Sequence, residues 1–382
     1  MTVLYKNGKI YQSEQKRFVD GSVAVSDGVI SRVFLGDEEI TGSYCEIVDL
    51  NGARVAPGLV DVHTHGRVCG DFCTADAEMI CAMSESYKKR GSTSVMATLA
   101  TATLDELHGA IERIGAECKN ANSVYIGIHL EGRYLNEKRR GAHNAELLAP
   151  LNANEISELV NKMKRVGYAH VSAALELDES GDFAKEAIKG GATLGLAHSD
   201  ATYAEGARAF ERGAIALTHT YNAMSPLHHR DVGAVGAGLL TDGVYCELIC
   251  DGFHVSPEAV KLAYTLKKDK TVLITDSMAA TDARDGEYEI GGLPVTVKDG
   301  KARTHDGAIA GSTLTLIDGV KNLAKFADIT YEEALYCATA SPAKLIGAYD
   351  EVGSIDAGKR ANMIILDENN NAKEVIFRGV KI

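Results

Sequence analysis

Residues 94–131 read SVMATLATATLDELHGAIERIGAECKNANSVYIGIHLE. The stretch opens on a short, almost wholly apolar run, passes through the amphipathic segment LDELHGAIERIGAECK, and returns to a second apolar run that ends in Glu131. Apolar runs without polar alternation belong to strands covered on both faces, and a helical segment between two of them predicts a parallel βαβ unit. The same rhythm continues in both directions. The runs VAPGLVDVH, HVSAALEL, TLGLAHS, AIALTHT, VYCELIC and TVLITD bring the strand candidates to eight. Helical segments such as AEMICAMSESYKKR, NEISELVNKMKRV, AEGARAFERG and PEAVKLAYTLKK lie between most of them. Eight strands alternating with helices predict an α/β fold, a closed (β/α)8 TIM-like barrel. An open doubly wound sheet is the rival, but no Gly-rich phosphate loop follows the first strand.

Outside this region the rhythm changes. The first 50 or so residues read as short strands around Asn7-Gly8 and Asp27-Gly28, with a third run, YCEIVDL, leading into Asn51-Gly52. Such turns predict hairpins. The tail, VGSIDAGKRANMIILDENNNAKEVIFRGVKI, has two apolar runs around an Asn-rich turn. Neither end carries enough apolar surface to fold alone. Both ends are therefore expected to build one small β-sandwich domain, residues 1–54 with 347–382, around a barrel spanning 55–346. Residues 287–303 read as an inserted hairpin, and 312–346 as two closing helices.

Composition narrows the function. The chain has 382 residues, with 40 Lys and Arg against 53 Asp and Glu, a net charge of −13. Such a field repels nucleic acid and anionic membrane, although a local basic pocket can still hold one phosphate. No apolar run reaches the roughly 20 residues of a membrane span, and the N-terminus lacks a signal peptide. The eight cysteines form no CxxC pair and read as reduced thiols of a cytoplasmic protein.

The chemistry lies at the strand ends. His63 and His65 close the first strand, Glu131 the third, His198 the fifth, His219 the sixth and Asp276 the eighth. In a barrel these tips share one face, where active sites are built. His63 and His65 are two apart, so a strand points both the same way. Each residue alone has a bland reading: a hydrogen-bonded His, a helix cap, a turn residue. Together they form a nitrogen and oxygen set for one or two divalent ions, zinc first, with Fe, Mn or Co as alternatives. His129 shares the face of Glu131 one layer deeper. His143 and His254 follow strand tips on the active-site side, as do His228 and His229. His108, His170 and His305 read as structural.

The ordered set PGLVDVHTHG, HLEG with NEKRRGAHN, LAHSD, THTYNAMSPLHHR, CDGFHVSP, LITDSMAA and AGSTLTL resembles the N-acetylglucosamine-6-phosphate deacetylases of the amidohydrolase superfamily. The likeness runs nearly end to end. It implies that Glu131, His198 and His219 are the main metal ligands, with His63 and His65 as the HxH pair of members holding a second ion. It implies that Asp276 is the catalytic acid and base and that His143 lies near the substrate amide. Asn222, Ala223, Arg230 and His254 match positions that hold the sugar phosphate. The position of Arg230 implies a homodimer in which this residue reaches the neighbouring site. The chain departs from the family at Arg133, where Pro is usual after HLEG, at Asp231 in HHRDVG, and in TDSMAATD. Arg133 and Asp231 fall in substrate-side loops and bear on sugar selectivity. The fourth-strand run HVSAALEL holds no Lys for a carboxylated bridge, a role that Glu131 can fill.

The implied reaction is hydrolysis of an acetamide. A divalent cation lowers the pKa of bound water from near 16 to about 7, which supplies hydroxide at neutral pH. Asp276 would take the water proton and return it to the leaving amine. His143 would hydrogen-bond the carbonyl oxygen, and Arg230 offers a bidentate fork for phosphate. The alternatives are an N-acetylgalactosamine 6-phosphate or other N-acyl amino-sugar deacetylase, a cyclic-amide hydrolase or deaminase, and a non-catalytic scaffold on the same fold.

Overall fold

The computed structural model describes residues 2–382. Eight parallel strands pair in chain order: Leu59–Thr64, Ser92–Leu99, Tyr125–Glu131, Tyr168–Ala173, Thr193–Leu196, Ala216–Leu217, Tyr245–Ile249 and Thr271–Ile274. The first and eighth close the cylinder through a Thr64–Ser277 bridge and an Asp276 N–H bond to the His63 carbonyl at 2.9 Å. The expected barrel is present, with helices outside it.

Local sequence explains where those helices begin. Thr103, Thr202 and Thr330 each cap a helix, with Glu106, Glu205 and Glu333 completing a reciprocal capping box. Pro257 starts another at a position where its missing N–H costs nothing. Near the strand starts Val60, Ile126, Tyr245 and Val272 pack with Leu345 and Ile346, so the last helix, Ala340–Leu345, plugs the end opposite the His, Glu and Asp tips.

Strands from both chain ends form one continuous sheet of eight strands. Met363–Leu366 from the tail pairs antiparallel with Arg54–Pro57 from the head. Alternation then divides the side chains. Met363 and Ile365 join the core of this sheet, whereas Ile364 and Leu366 join the barrel core.

Four expectations need correction. Asn7-Gly8 makes no hairpin. Thr2–Gln12 is a single strand, and Asn7, at φ +59°, marks a register shift within it. An αL residue before Gly serves a bulge as well as a turn, and the partner strand Arg17–Ser26 continues past it. Asp27-Gly28 does turn a hairpin, with φ +50° and +81° as a type I′ loop demands. The run VAPGLVDVH divides at Gly58 between the end sheet and the barrel. The inserted segment has three antiparallel strands rather than two, Gly286–Ile290, Leu293–Lys298 and Lys301–Thr304. The closing helices number three, Leu316–Ala327, Tyr331–Cys337 and Ala340–Leu345. Pro342 forces that last break, because it lacks the N–H a continuous helix would use and is tolerated only in a first turn.

Candidate active site

The barrel brings all six strand-end residues to one place. Glu131 stands at the centre and divides the cluster. Its Oε2 lies 3.1 Å from His63 Nε2 and 3.0 Å from His65 Nε2. Its Oε1 lies 2.7 Å from His219 Nε2 and 3.4 Å from His198 Nε2. Asp276 Oδ1 joins the first half, 3.2 Å from His65 Nε2 and 3.6 Å from His63 Nε2. One carboxylate therefore faces two imidazole pairs. Every member of the set is buried.

The backbone pays for this convergence. His198, His219 and Asp276 have φ of +44°, +29° and +48°, left-handed values that non-glycine residues rarely adopt. Each stands two residues after the end of its strand, so the chain turns sharply and aims the side chain inward. Gly132 lets the chain after Glu131 cross Thr101, where a Cβ would lie 2.4 Å from the Thr101 nitrogen.

The donor chemistry fits a cation. His198 Nδ1 faces the Arg139 carbonyl at 2.8 Å. A carbonyl only accepts, so Nδ1 carries the proton and Nε2 presents a lone pair. That Nε2 is 3.1 Å from His219 Nε2. Glu131 Oε1 is buried beside both and has no aligned hydrogen-bond donor. Ligand atoms of His63, His65, Glu131 and Asp276 lie within 4.8 Å of one another, as do those of Glu131, His143 and His198. The His, Glu and Asp cluster is compatible with a divalent metal.

Charge in the metal-free protein follows from the same contacts. Burial pushes the two carboxyls up, but the surrounding imidazoles override it. They hold Glu131 well below its ordinary value and Asp276 at about 2. Burial pushes the imidazoles down, and Asp276 and Glu131 override that, raising His63 well above its ordinary value and His65 to about 9. Imidazolium charge thus balances the carboxylates. His65 stabilises the fold fully below its unfolded value of 6.5, and that contribution is lost as pH rises through about 9. Asp276 contributes above its unfolded value of 3.8, and that contribution is lost as pH falls through about 2. Chelated protein should therefore melt at progressively lower temperature from pH 6.5 to 9. Zinc-loaded protein should show a flatter profile, since metal binding displaces those protons. A flat profile for the chelated protein in thermal melts would remove the imidazolium from this account.

A cavity of about 350 Å³ opens over the cluster. His65, Glu131, His198, His219 and Asp276 form its floor. Asn222, Ala223, His143 and His254 line its walls, and Ile290 from the inserted sheet covers one side. His143 Nδ1 is 2.8 Å from the Thr101 hydroxyl, and burial, with His198 beside it, holds its pKa well below the ordinary value. His254 Nδ1 is 2.6 Å from Asp251 Oδ2. Lys138 and Arg139 also line the cavity and share one counter-charge, Asp200, at 3.4 and 2.9 Å.

Other expected residues lie elsewhere. Among the described residues that line the cavity, Arg230 does not figure; it is exposed and rests on His229 at 2.9 Å. Arg133 turns to the Ala102 carbonyl and Glu155, and Asp231 caps the backbone of Gly233. Neither of these two residues lines the cavity. His129 does share the Glu131 face, with its ring 4.5 Å from that of His63. His170 is deeper in the barrel, 4.9 Å from His129.

Three contributors escaped the sequence reading: Glu247, Thr101 and the Lys138-Arg139 pair. Glu247 had a signal, since an acidic residue inside the apolar run VYCELIC must find a partner. Its Oε2 is 3.1 Å from His63 Nδ1. Thr101 and the cations sit in loops whose path only the folded chain defines.

Comparison with known proteins agrees with this fold. Residues 54–382 match the model of the amidohydrolase family. The chain is 32% identical to an N-acetylglucosamine-6-phosphate deacetylase of Vibrio furnissii, over 98% of this chain and 92% of that protein. It is also 32% identical to an N-acetylgalactosamine-6-phosphate deacetylase of Escherichia coli O157:H7, over 94% of each. The crystal structure of N-acetylglucosamine-6-phosphate deacetylase from Pasteurella multocida superposes with a TM-score of 0.92 at 28% identity, over 100% of both chains. The chain belongs to the amidohydrolase family and, within it, to the N-acetylglucosamine-6-phosphate deacetylases.

Proposed function

We propose that this chain hydrolyses the acetamide of N-acetylglucosamine 6-phosphate to glucosamine 6-phosphate and acetate. One observation carries the reading: Glu131 offers each oxygen to a separate imidazole pair, beside Asp276, on the floor of one cavity. Glu131, His198 and His219 would hold one divalent ion, and His63, His65 and Asp276 with Glu131 a second. Zinc is the first choice for this donor set, with Fe, Mn and Co as alternatives. When bound, such an ion supplies Lewis acidity and lowers the pKa of water.

The chain's own residues do the rest. Asp276, held anionic by His63 and His65, takes the proton of the attacking water and passes it to the departing amine. Neutral His143, with Nδ1 accepting from Thr101, has Nε2–H free to hydrogen-bond the amide oxygen as it gains charge. Asn222, the Ala223 backbone and His254 hold the sugar phosphate. Arg230 serves the neighbouring site of a homodimer. Its exposure and its distance from its own cavity support that role. Eight unpaired thiols suit a reducing cytoplasm. No helix among the described residues is long and apolar enough to cross a membrane. Residues 1–54 and 347–382 would form one domain and 55–346 the barrel, although the strand Arg54–Pro57, paired with Met363–Leu366 in the end sheet, carries that first boundary on to Gly58.

The equal identity to a galactosamine relative favours one second reading, the epimeric substrate. Parallel assays with the two N-acetylhexosamine 6-phosphates, with metal analysis of the same sample, test both. Acetate release that disappears on chelation and is faster with the gluco epimer is the expected result. Preference for the galacto epimer selects the second reading, and ammonia in place of acetate ends both. Arg230→Ala should raise KM for the phosphorylated sugar by about 10- to 100-fold, the loss of a charged hydrogen-bond pair. The unphosphorylated sugar should change little. Equal effects on both would take Arg230 away from phosphate.

A further inference from the structure

Glu247 is fully buried inside the barrel, in the middle of the seventh strand. An ionised carboxylate costs several kcal/mol to bury and persists only where it is paired. Its Oε2 accepts from two donors. One is His63 Nδ1 at 3.1 Å, and the other is the backbone N–H of His219 at 3.2 Å. Its Oε1 has no hydrogen-bond partner and lies 3.7 Å from His170 Nε2. His63 is thereby held at both ring nitrogens, with Nε2 facing Glu131 and Asp276. The ring of His129 packs edge-on against it at 4.5 Å and fixes its tilt.

We infer that Glu247 is a positioning residue that builds the His63 half of a two-ion site. The inference rests on the binuclear reading proposed above. A carboxylate can only accept, so with an ion in place it requires the proton of neutral His63 on Nδ1 and leaves the Nε2 lone pair for the cation. The anion also makes that nitrogen a stronger donor. The other half is backed differently, because His198 donates to a neutral carbonyl, that of Arg139. The two halves are therefore unequal by construction. The half containing His63 has an imidazole held by one buried carboxylate, whereas the half containing His198 and His219 meets that carboxylate only through the backbone N–H of His219.

The test uses zinc alone. Native protein, Glu247→Met and Glu247→Gln are stripped of metal and titrated with zinc by calorimetry, and bound zinc is counted by metal analysis. Native protein should take two ions per chain. Glu247→Met, similar in length but with only a weak, uncharged thioether acceptor, should keep one and bind the other about 10- to 100-fold more weakly. Glu247→Gln should recover part of that loss, because its amide oxygen can still accept from Nδ1. Adding Glu247→Met to His63→Ala should weaken zinc no further than His63→Ala alone.

A folded Glu247→Met that binds both ions with native affinity overturns the inference. So does an additive double variant. Nitrogen-15 shifts of His63 in zinc-loaded native protein test it with no variant at all: Nδ1 should be protonated, and an unprotonated Nδ1 overturns it. Failure of the wider reading looks different. A native protein that takes one ion and still releases acetate keeps the proposed function and ends this inference. A native protein that takes none and releases no acetate ends both.

Discussion

Asp276→Asn is expected to lower turnover at least about 100-fold, the small end of what removing an acid and base group costs. That factor corresponds to about 2.7 kcal/mol of transition-state stabilisation. The substitution isolates charge from shape. Asp276 sits at φ +48°, a conformation that Asn tolerates as well as Asp, so the turn should survive. The Asp276 N–H bond to the His63 carbonyl belongs to the backbone and stays in place. What disappears is the anion beside His65, and with it the group able to receive the water proton. In the proposed function the ground-state contacts to the sugar phosphate lie on other residues, so KM should change far less than kcat. Steady-state kinetics with metal analysis on one preparation checks both halves. A variant that keeps more than a tenth of native turnover would reassign the acid and base role.

Glu131→Gln should have the largest effect. Four imidazoles face this one carboxylate, two at each oxygen. The amide retains the shape but removes the charge and turns two hydrogens toward nitrogens that need to present lone pairs. Both halves of the site should lose metal together. Turnover should fall by at least about 10³-fold, because hydroxide at neutral pH depends on the ion. The chelated variant should also be less stable than chelated native protein by about 3–5 kcal/mol, the usual loss when one partner of a buried ion cluster is removed. Metal analysis and denaturant unfolding of the two chelated proteins measure these effects separately. Retention of native zinc by Glu131→Gln would show that Glu131 does not join the halves.

Together the two substitutions separate what the cluster does for the metal-free protein from what it does in catalysis. Without an ion, His63 and His65 carry the positive charge that the carboxylates require. With an ion bound, those imidazoles would become neutral donors. The site would then exchange protons for metal, and its stability would depend on pH mainly while the metal is absent.

Much of this was legible in the chain. A strand buried on both faces reads as an unbroken apolar run, and a covering helix reads as a period near four, so the eight-strand alternation announced the barrel. Strand ends were equally readable, which is why His63, His65, Glu131, His198, His219 and Asp276 could be named before any fold was known. Two helices were harder. Asp182–Lys189 is short, and Gly233–Leu240 has three glycines, no amphipathic stripe and almost complete burial. Its small residues serve close packing: a Cβ on Gly238 would lie 2.6 Å from Leu217. Such a helix is made by its neighbours rather than by its own propensity.

Asn7-Gly8 shows the same limit in a turn. Asn followed by Gly permits a left-handed residue, but whether that residue reverses the chain or only shifts a register depends on the strand beside it, and here Arg17–Ser26 carries the pairing through. Glu247 shows the limit in the site. Its burial could be foreseen from the run around it, yet its partner lies 184 positions away on the first strand.

What the amino-acid order settles on its own is periodic and local: which runs are strands, which are helices, and which residues stand at their ends. Closing the cylinder decides the rest. Closure sets the left-handed turns at His198, His219 and Asp276, the sharing of Glu131 between two imidazole pairs, and the pairing of Glu247 with His63. These depend on distances between residues remote in the chain, and such distances exist only once the eight strands have met.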